Sequence, residues 1–119
     1  MILTRIRNGI PPGTVLPKPQ STEEYVVIGW GRSRNEDALV YRLPMRPGTK
    51  KASEKRIRSS AFVEAFRVLE GTGRLTRTWF AEHFPDLERD GTCNFTTLGG
   101  VFVLLGEARY VGSGEYEAR

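Results

Sequence analysis

A thiol and an imidazole each occur once in this 119-residue chain, as Cys93 and His83. A thiol activated by an imidazole supports covalent catalysis only when the two groups lie within hydrogen-bond reach, and nothing in the spacing of these two places them so. His83 stands among Trp79, Phe80 and Phe84, where a partly buried structural imidazole is expected. One cysteine and one histidine cannot make a structural zinc site unaided. Asp86, Glu88 and Asp90 alternate in a stretch that reads as a loop. They could attract a divalent cation, but the glycine and distal glutamate of a calcium loop are missing. The Gly-x-Gly stretches at Gly71–Gly73 and Gly112–Gly114 lack the rest of a phosphate-loop fingerprint and read as turns. The expectation is therefore no catalytic residue, no metal and no cofactor.

Charge carries more information. Residues 1–60 hold 12 Lys and Arg against 5 Asp and Glu, a balance of +7, whereas residues 61–119 hold 6 against 9, a balance of −3. The overall +4 conceals this polarity. A one-sided basic balance points to a polyanion, because Lys and Arg displace counterions from phosphates. The candidate phosphate contacts are Arg32 and Arg34 at a hairpin tip, Arg46, Lys50, Lys51, Lys55, Arg56 and Arg58 in the densest basic segment, and Arg74 and Arg77 beside a second helix. No aromatic residue is interleaved in that segment to stack on bases. The expected function is a small nucleic-acid-binding protein, with DNA ahead of RNA and little sequence preference.

Four segments position these residues in a single domain. Residues 1–22 contain Pro11, Pro12, Pro17 and Pro19 and read as an extended arm, its base pinned by Ile2, Leu3, Ile6 and Ile10. Residues 23–44 hold two β-rich runs, Tyr25–Trp30 and Ala38–Leu43, around a polar stretch, which predicts an antiparallel hairpin. Residues 45–58 read as a basic loop. In residues 59–119, Ser59 or Ser60 caps a helix carrying Phe62, Val63, Phe66 and Leu69. Leu75 suits a short strand, and Thr76 or Thr78 caps a second helix that Pro85 stops.

Residues 94–116 close the chain's core. Phe95, Leu98, Val101, Phe102 and Leu105 share one helical face. A hairpin turning at Gly99-Gly100 competes with that helix, but it would leave Val101–Leu105 apolar on both faces with nothing to fix its register. Gly106 then ends the helix. Ala108–Val111 and Glu115–Ala118 follow as strands around Gly112-Ser113-Gly114.

The order helix, short strand, helix, loop, helix, hairpin over residues 60–118 resembles a winged helix-turn-helix domain. The likeness lies in Leu104-Leu105-Gly106-Glu107-Ala108-Arg109-Tyr110-Val111, which looks like a recognition helix entering the wing. It implies a winged-helix-like three-helix unit with a C-terminal β-hairpin, which together with the N-terminal antiparallel β-hairpin makes the expected fold α+β. In a DNA-reading winged helix the third helix enters the major groove with Arg, Lys, Asn or Gln outermost. Here that face would carry Thr96, Gly99, Gly100, Val103 and Leu104. Such a face suits a protein surface, so the alternative function is an interaction or dimerising adaptor.

Location follows from what is absent. The longest wholly apolar run, Val101–Leu105, is far short of a membrane span. Arg5 and Arg7 are followed by no apolar segment of a secretion signal, and one cysteine excludes an internal disulfide. A cytoplasmic protein without membrane contact is expected.

Overall fold

The computed structural model describes residues 1–45, 48 and 53–119. Helix α1, Ile2–Gly9, stands where the extended arm was expected to begin. Ile2, Ile6 and Ile10 recur every four residues, so one face is apolar, and all three are buried. The prolines that forbid a helix start only at Pro11. The arm proper therefore runs from there, and Val15–Leu16 in it forms a two-residue strand, β1.

Strands β2 (Tyr25–Ser33), β3 (Glu36–Arg42) and β4 (Glu54–Arg58) complete an antiparallel sheet in the order β1-β2-β3-β4. The β2–β3 hairpin extends further toward its tip than expected. Ser33 pairs with Glu36, and Arg34 and Asn35 both take positive φ (51° and 65°), as a two-residue type I′ turn demands. Trp30, Leu39 and Ile57 lie side by side across three strands, as do Val27, Tyr41 and Lys55. The expected loop over residues 45–58 is shorter by all of β4. Its Lys55 and Ile57 alternate with the exposed Glu54 and Arg56 and complete the buried face of β3.

Helix α2 (Ser59–Thr72) follows β4 without a break. Neither serine caps it with its own hydroxyl. The Glu36 carboxylate does so from β3, accepting the Ser60 N–H at 2.7 Å and the Ser60 hydroxyl at 3.0 Å, a negative group at a positive helix end. Strand β5 (Arg74–Thr76) leads into α3 (Arg77–His83), capped by the Thr76 hydroxyl on Trp79 N–H at 3.1 Å.

Pro85 ends α3 and opens α4 (Pro85–Asp90) as its first residue. The acidic stretch expected as a loop is thus largely helical. Helix α5 (Cys93–Leu104) and the hairpin β6 (Ala108–Gly112) and β7 (Glu115–Ala118) close the fold. The second sheet has the order β5-β7-β6, all antiparallel. The architecture is α+β, and one cluster of buried side chains joins both sheets to all five helices among the described residues. At its centre Phe102 meets Phe62 and Phe66, with ring centroids 6.2 and 5.6 Å apart, while Phe95 meets Phe80 and Tyr116 at 5.6 and 5.5 Å.

Candidate functional site

The basic residues of the hairpin tip and β4 line an open cleft of about 420 Å³ against α4. Antiparallel pairing brings Arg56 and Arg58 alongside β3, and the type I′ turn swings Arg34 over the same opening. Arg58 donates two hydrogen bonds to Asp86, at 2.6 and 3.2 Å, and its guanidinium lies 5.1 Å from the Phe84 ring centre. Arg34 reaches Asp86 at 3.4 Å, and Lys55 reaches Asp90 at 3.5 Å. Arg56 is different. Its guanidinium crosses above Gly31, where a Cβ would come within 2.7 Å of it, and donates to the Arg32 carbonyl at 2.9 Å.

The cleft therefore holds four cations against Glu54, Asp86 and Asp90. The Arg58 hydrogen bond holds the Asp86 carboxyl below the usual carboxylate range. Arg58 is only 11% exposed in its side chain, so losing its partner strands a nearly buried cation. Asp86→Asn is expected to cost about 2 kcal/mol in urea unfolding near pH 7. The difference from the parent should shrink as pH falls through the parent's depressed Asp86 pKa, because the parent then loses the same charge. A loss that stays constant down to pH 2 would contradict this account.

The other expected phosphate contacts are dispersed and paired. Arg32 bonds Asp37 at 2.9 Å, and Arg7 shares that carboxylate at 2.6 Å while lying 4.1 Å over Trp30. Arg74 forks onto Glu115 at 2.9 and 2.5 Å. Arg77 bonds Glu88 at 2.7 Å and the Thr92 carbonyl at 3.0 Å. Arg46, Lys50 and Lys51 fall outside the described residues. Exposed pairs of this kind contribute about 0–1 kcal/mol, so at Arg32, Arg34 and Arg74, whose side chains are 64–65% exposed, a phosphate can displace the carboxylate. Arg58 cannot be released so easily.

The face of α5 expected to meet a partner is covered by the chain itself. Gly99 is buried with a Cβ position 2.2 Å from the Tyr116 ring, and the Cβ position of Gly100 is 2.9 Å from the Pro17 carbonyl oxygen. Close approach does explain these glycines, but it is the approach of the C-terminal hairpin and the arm. Thr96 accepts from Lys18, and Val103 is half-buried. Leu104 alone stays clearly open, at 44% exposure.

His83 is exposed rather than partly buried, stacked on Trp79 at 4.7 Å, with Nδ1 2.9 Å from the Trp79 carbonyl oxygen. Cys93 instead lies against Tyr41, whose hydroxyl is 3.1 Å from Sγ and donates to Asn94 Oδ1 at 2.6 Å. No hydrogen bond joins the histidine to the cysteine. Asp86, Glu88 and Asp90 point to Arg58, Arg77 and Lys55 instead of converging on a cation.

One residue escaped the sequence reading. Lys18, flanked by Pro17 and Pro19, inserts its ammonium between the arm and α5 and donates to the Cys93 carbonyl (3.0 Å), Thr96 Oγ1 (3.0 Å) and Thr97 Oγ1 (2.7 Å). The Tyr25 ring centre lies 4.2 Å away. All of these partners are neutral, and burial lowers the amine's pKa to about 8. The one signal was a long polar side chain between two prolines.

Compared with known protein families, curated proteins and solved structures, the chain matches none. Among the described residues no helix is long and apolar enough to cross a membrane.

Proposed function

We propose that this chain binds nucleic acid, DNA ahead of RNA, through its phosphates and with little sequence preference. The observation that carries the reading is the β4 cleft, where Arg34, Lys55, Arg56 and Arg58 converge and the Arg56 guanidinium is held by a carbonyl, not a carboxylate. Residues 59–119 form a winged-helix-like unit in this reading. Its support is the order α2, β5, α3, α4, α5, β6, β7, together with a sheet whose last strand lies between the other two. With eight of its residues buried, α5 serves as a scaffold and not as a base-reading helix. Phosphate contact from the neighbouring sheet needs no base-reading helix, because such contacts carry affinity without sequence information.

The test is fluorescence anisotropy of a labelled mixed-sequence duplex titrated with protein across a range of salt. Affinity should fall with a log-log slope of about −0.9 for each phosphate neutralised. Arg34→Glu with Arg56→Glu should weaken binding and flatten that slope by about 2, with the melting temperature close to the parent's. Lys50→Glu with Lys51→Glu asks the same of the connecting segment. Parental affinity in both variants would remove the cleft and the segment from the reading, and no binding at low salt would end it.

A further inference from the structure

Between the arm at Pro17–Gln20 and strand β6 runs a trough floored by α5, in two adjoining parts that share Pro19 and Tyr110. The larger part, about 270 Å³, is bounded by Pro17, Val103, Tyr116, Arg109 and Arg119. The smaller, about 100 Å³, is bounded by Gln20, Thr96, Arg77 and Gly114. Lys18 joins the three arginines in the lining, and no aspartate or glutamate does. In the β4 cleft, by contrast, three carboxylates stand among the cations.

Arg77 and Arg109 are held from outside this lining by Glu88 and Glu117, and Arg119 makes no ion pair among the described residues. Tyr110 is half-buried, braced edge-on by Tyr116 at 5.2 Å and by the Gly114 N–H on its hydroxyl at 3.4 Å. A ring fixed in this way between cations is a stacking platform.

Such a trough complements a ligand that alternates negative charge with flat rings. Single-stranded nucleic acid has that composition, and proteins that hold it combine a basic groove with aromatic side chains. A duplex keeps its bases stacked inside and offers Tyr110 no ring face. We infer that the trough holds a single-stranded segment, with a base on the Tyr110 ring beside Pro19 and phosphates at Arg109 and Arg119. This inference rests on the nucleic-acid reading above and adds to it a strand type and a second surface.

The experiment is anisotropy of labelled oligothymidylate and of a labelled duplex, at low and near-physiological salt, with the parent and four variants. Tyr110→Leu keeps apolar volume without the ring and should weaken single-strand binding by about five- to a hundredfold, the effect of losing one stacked base. Its duplex affinity should be unchanged. Tyr110→Phe should bind as the parent does, which separates the ring from the hydroxyl and from any fault in folding. Arg119→Glu should weaken the single strand alone, and Arg34→Glu with Arg56→Glu the duplex.

Equal losses on both substrates in Tyr110→Leu, or none on either, would overturn the trough while leaving the cleft intact. Duplex binding without single-strand binding would do the same. Single-strand binding lost in Tyr110→Leu, with the Arg34/Arg56 variant unchanged on both substrates, would sustain the trough and overturn the cleft. If neither substrate binds at low salt, both readings fail together.

Discussion

Gly99→Ala is expected to destabilise the fold by about 2–3 kcal/mol and to lower the melting temperature by about 10 °C or more. Helix propensity alone points the other way, since alanine is favoured over glycine by about 1 kcal/mol inside a helix. Packing decides the sign. The new methyl would arrive 2.2 Å from Cε2 and Cζ of Tyr116, a ring only 1% exposed and hemmed by Phe95 and Tyr110, with centroids at 5.5 and 5.2 Å. The ring cannot swing aside without opening the contact between α5 and the hairpin.

Urea unfolding measures the loss directly. Combining the change with Tyr116→Leu should cost less than the sum of the two single variants, because both act on one contact. Gly100→Ala should also destabilise, by about 1–3 kcal/mol, since its methyl would meet the Pro17 backbone carbonyl at 2.9 Å, which cannot rotate aside as a side-chain end can. A Gly99→Ala protein as stable as the parent would mean that α5 and β7 do not pack as described.

The parent protein should become more stable between pH 8 and 10 by about 2–3 kcal/mol, and Lys18→Met should abolish that rise. Burial lowers the Lys18 pKa from 10.5 to about 8 in the folded chain. Between those values the unfolded chain binds a proton that the folded chain has released, so unfolding is increasingly opposed as pH rises. Below pH 8 both states are protonated and the slope vanishes.

The groups around the amine set the limits of the measurement. Cys93, Tyr25 and Tyr41 surround it, and Arg77 adds a repulsion that favours the neutral amine. Burial, followed by the neighbouring Cys93, pushes the Tyr41 hydroxyl up, which takes stability away once an unfolded tyrosine ionises, near pH 10. The comparison therefore stops at pH 10 and is made in a Cys93→Ser background, which removes the influence of Cys93 on the amine and on the Tyr41 hydroxyl. Parallel pH profiles for parent and Lys18→Met would refute the buried amine. Near pH 7 the methionine variant should be at least as stable as the parent, since it replaces a buried cation that has no carboxylate partner.

The elements legible beforehand were those with a strong local signature. The apolar stripe of α5, the Gly106 stop with its φ of 77°, the Thr76 cap and the β-branched runs of β2 and β3 stand as expected. α1 was obscured because only Ile2, Ile6 and Ile10 mark it, next to prolines that dominate the composition. β4 looked like loop because its Lys55 and Arg56 carry charge, and only pairing to β3 shows Lys55 and Ile57 facing the core.

The candidate site was half legible. Charge density located Arg34, Lys55, Arg56 and Arg58. The carboxylates paired with Arg34, Lys55 and Arg58 are Asp86 and Asp90 of α4, far along the chain, and no local pattern announces such a meeting. The same limit hid the cover over α5, since Pro17 and Tyr116 reach Gly100 and Gly99 from opposite ends of the sequence.

That closure sets a constraint on how the protein is made. Ile2 and Ile6 are buried in the common core, and Arg5 bonds Glu107 at 2.5 Å and the Leu105 carbonyl at 3.2 Å, across 102 and 100 positions of sequence. A ribosome adding about 5–20 residues per second leaves α1 waiting roughly 5–20 s for these partners. Contact order is high at this seam, so its closure belongs among the last and slowest events of folding. During synthesis the isoleucine face of α1 has no native cover until α2, the helix it packs against, has been made, and until then a chaperone or a misfolding partner competes with the native core.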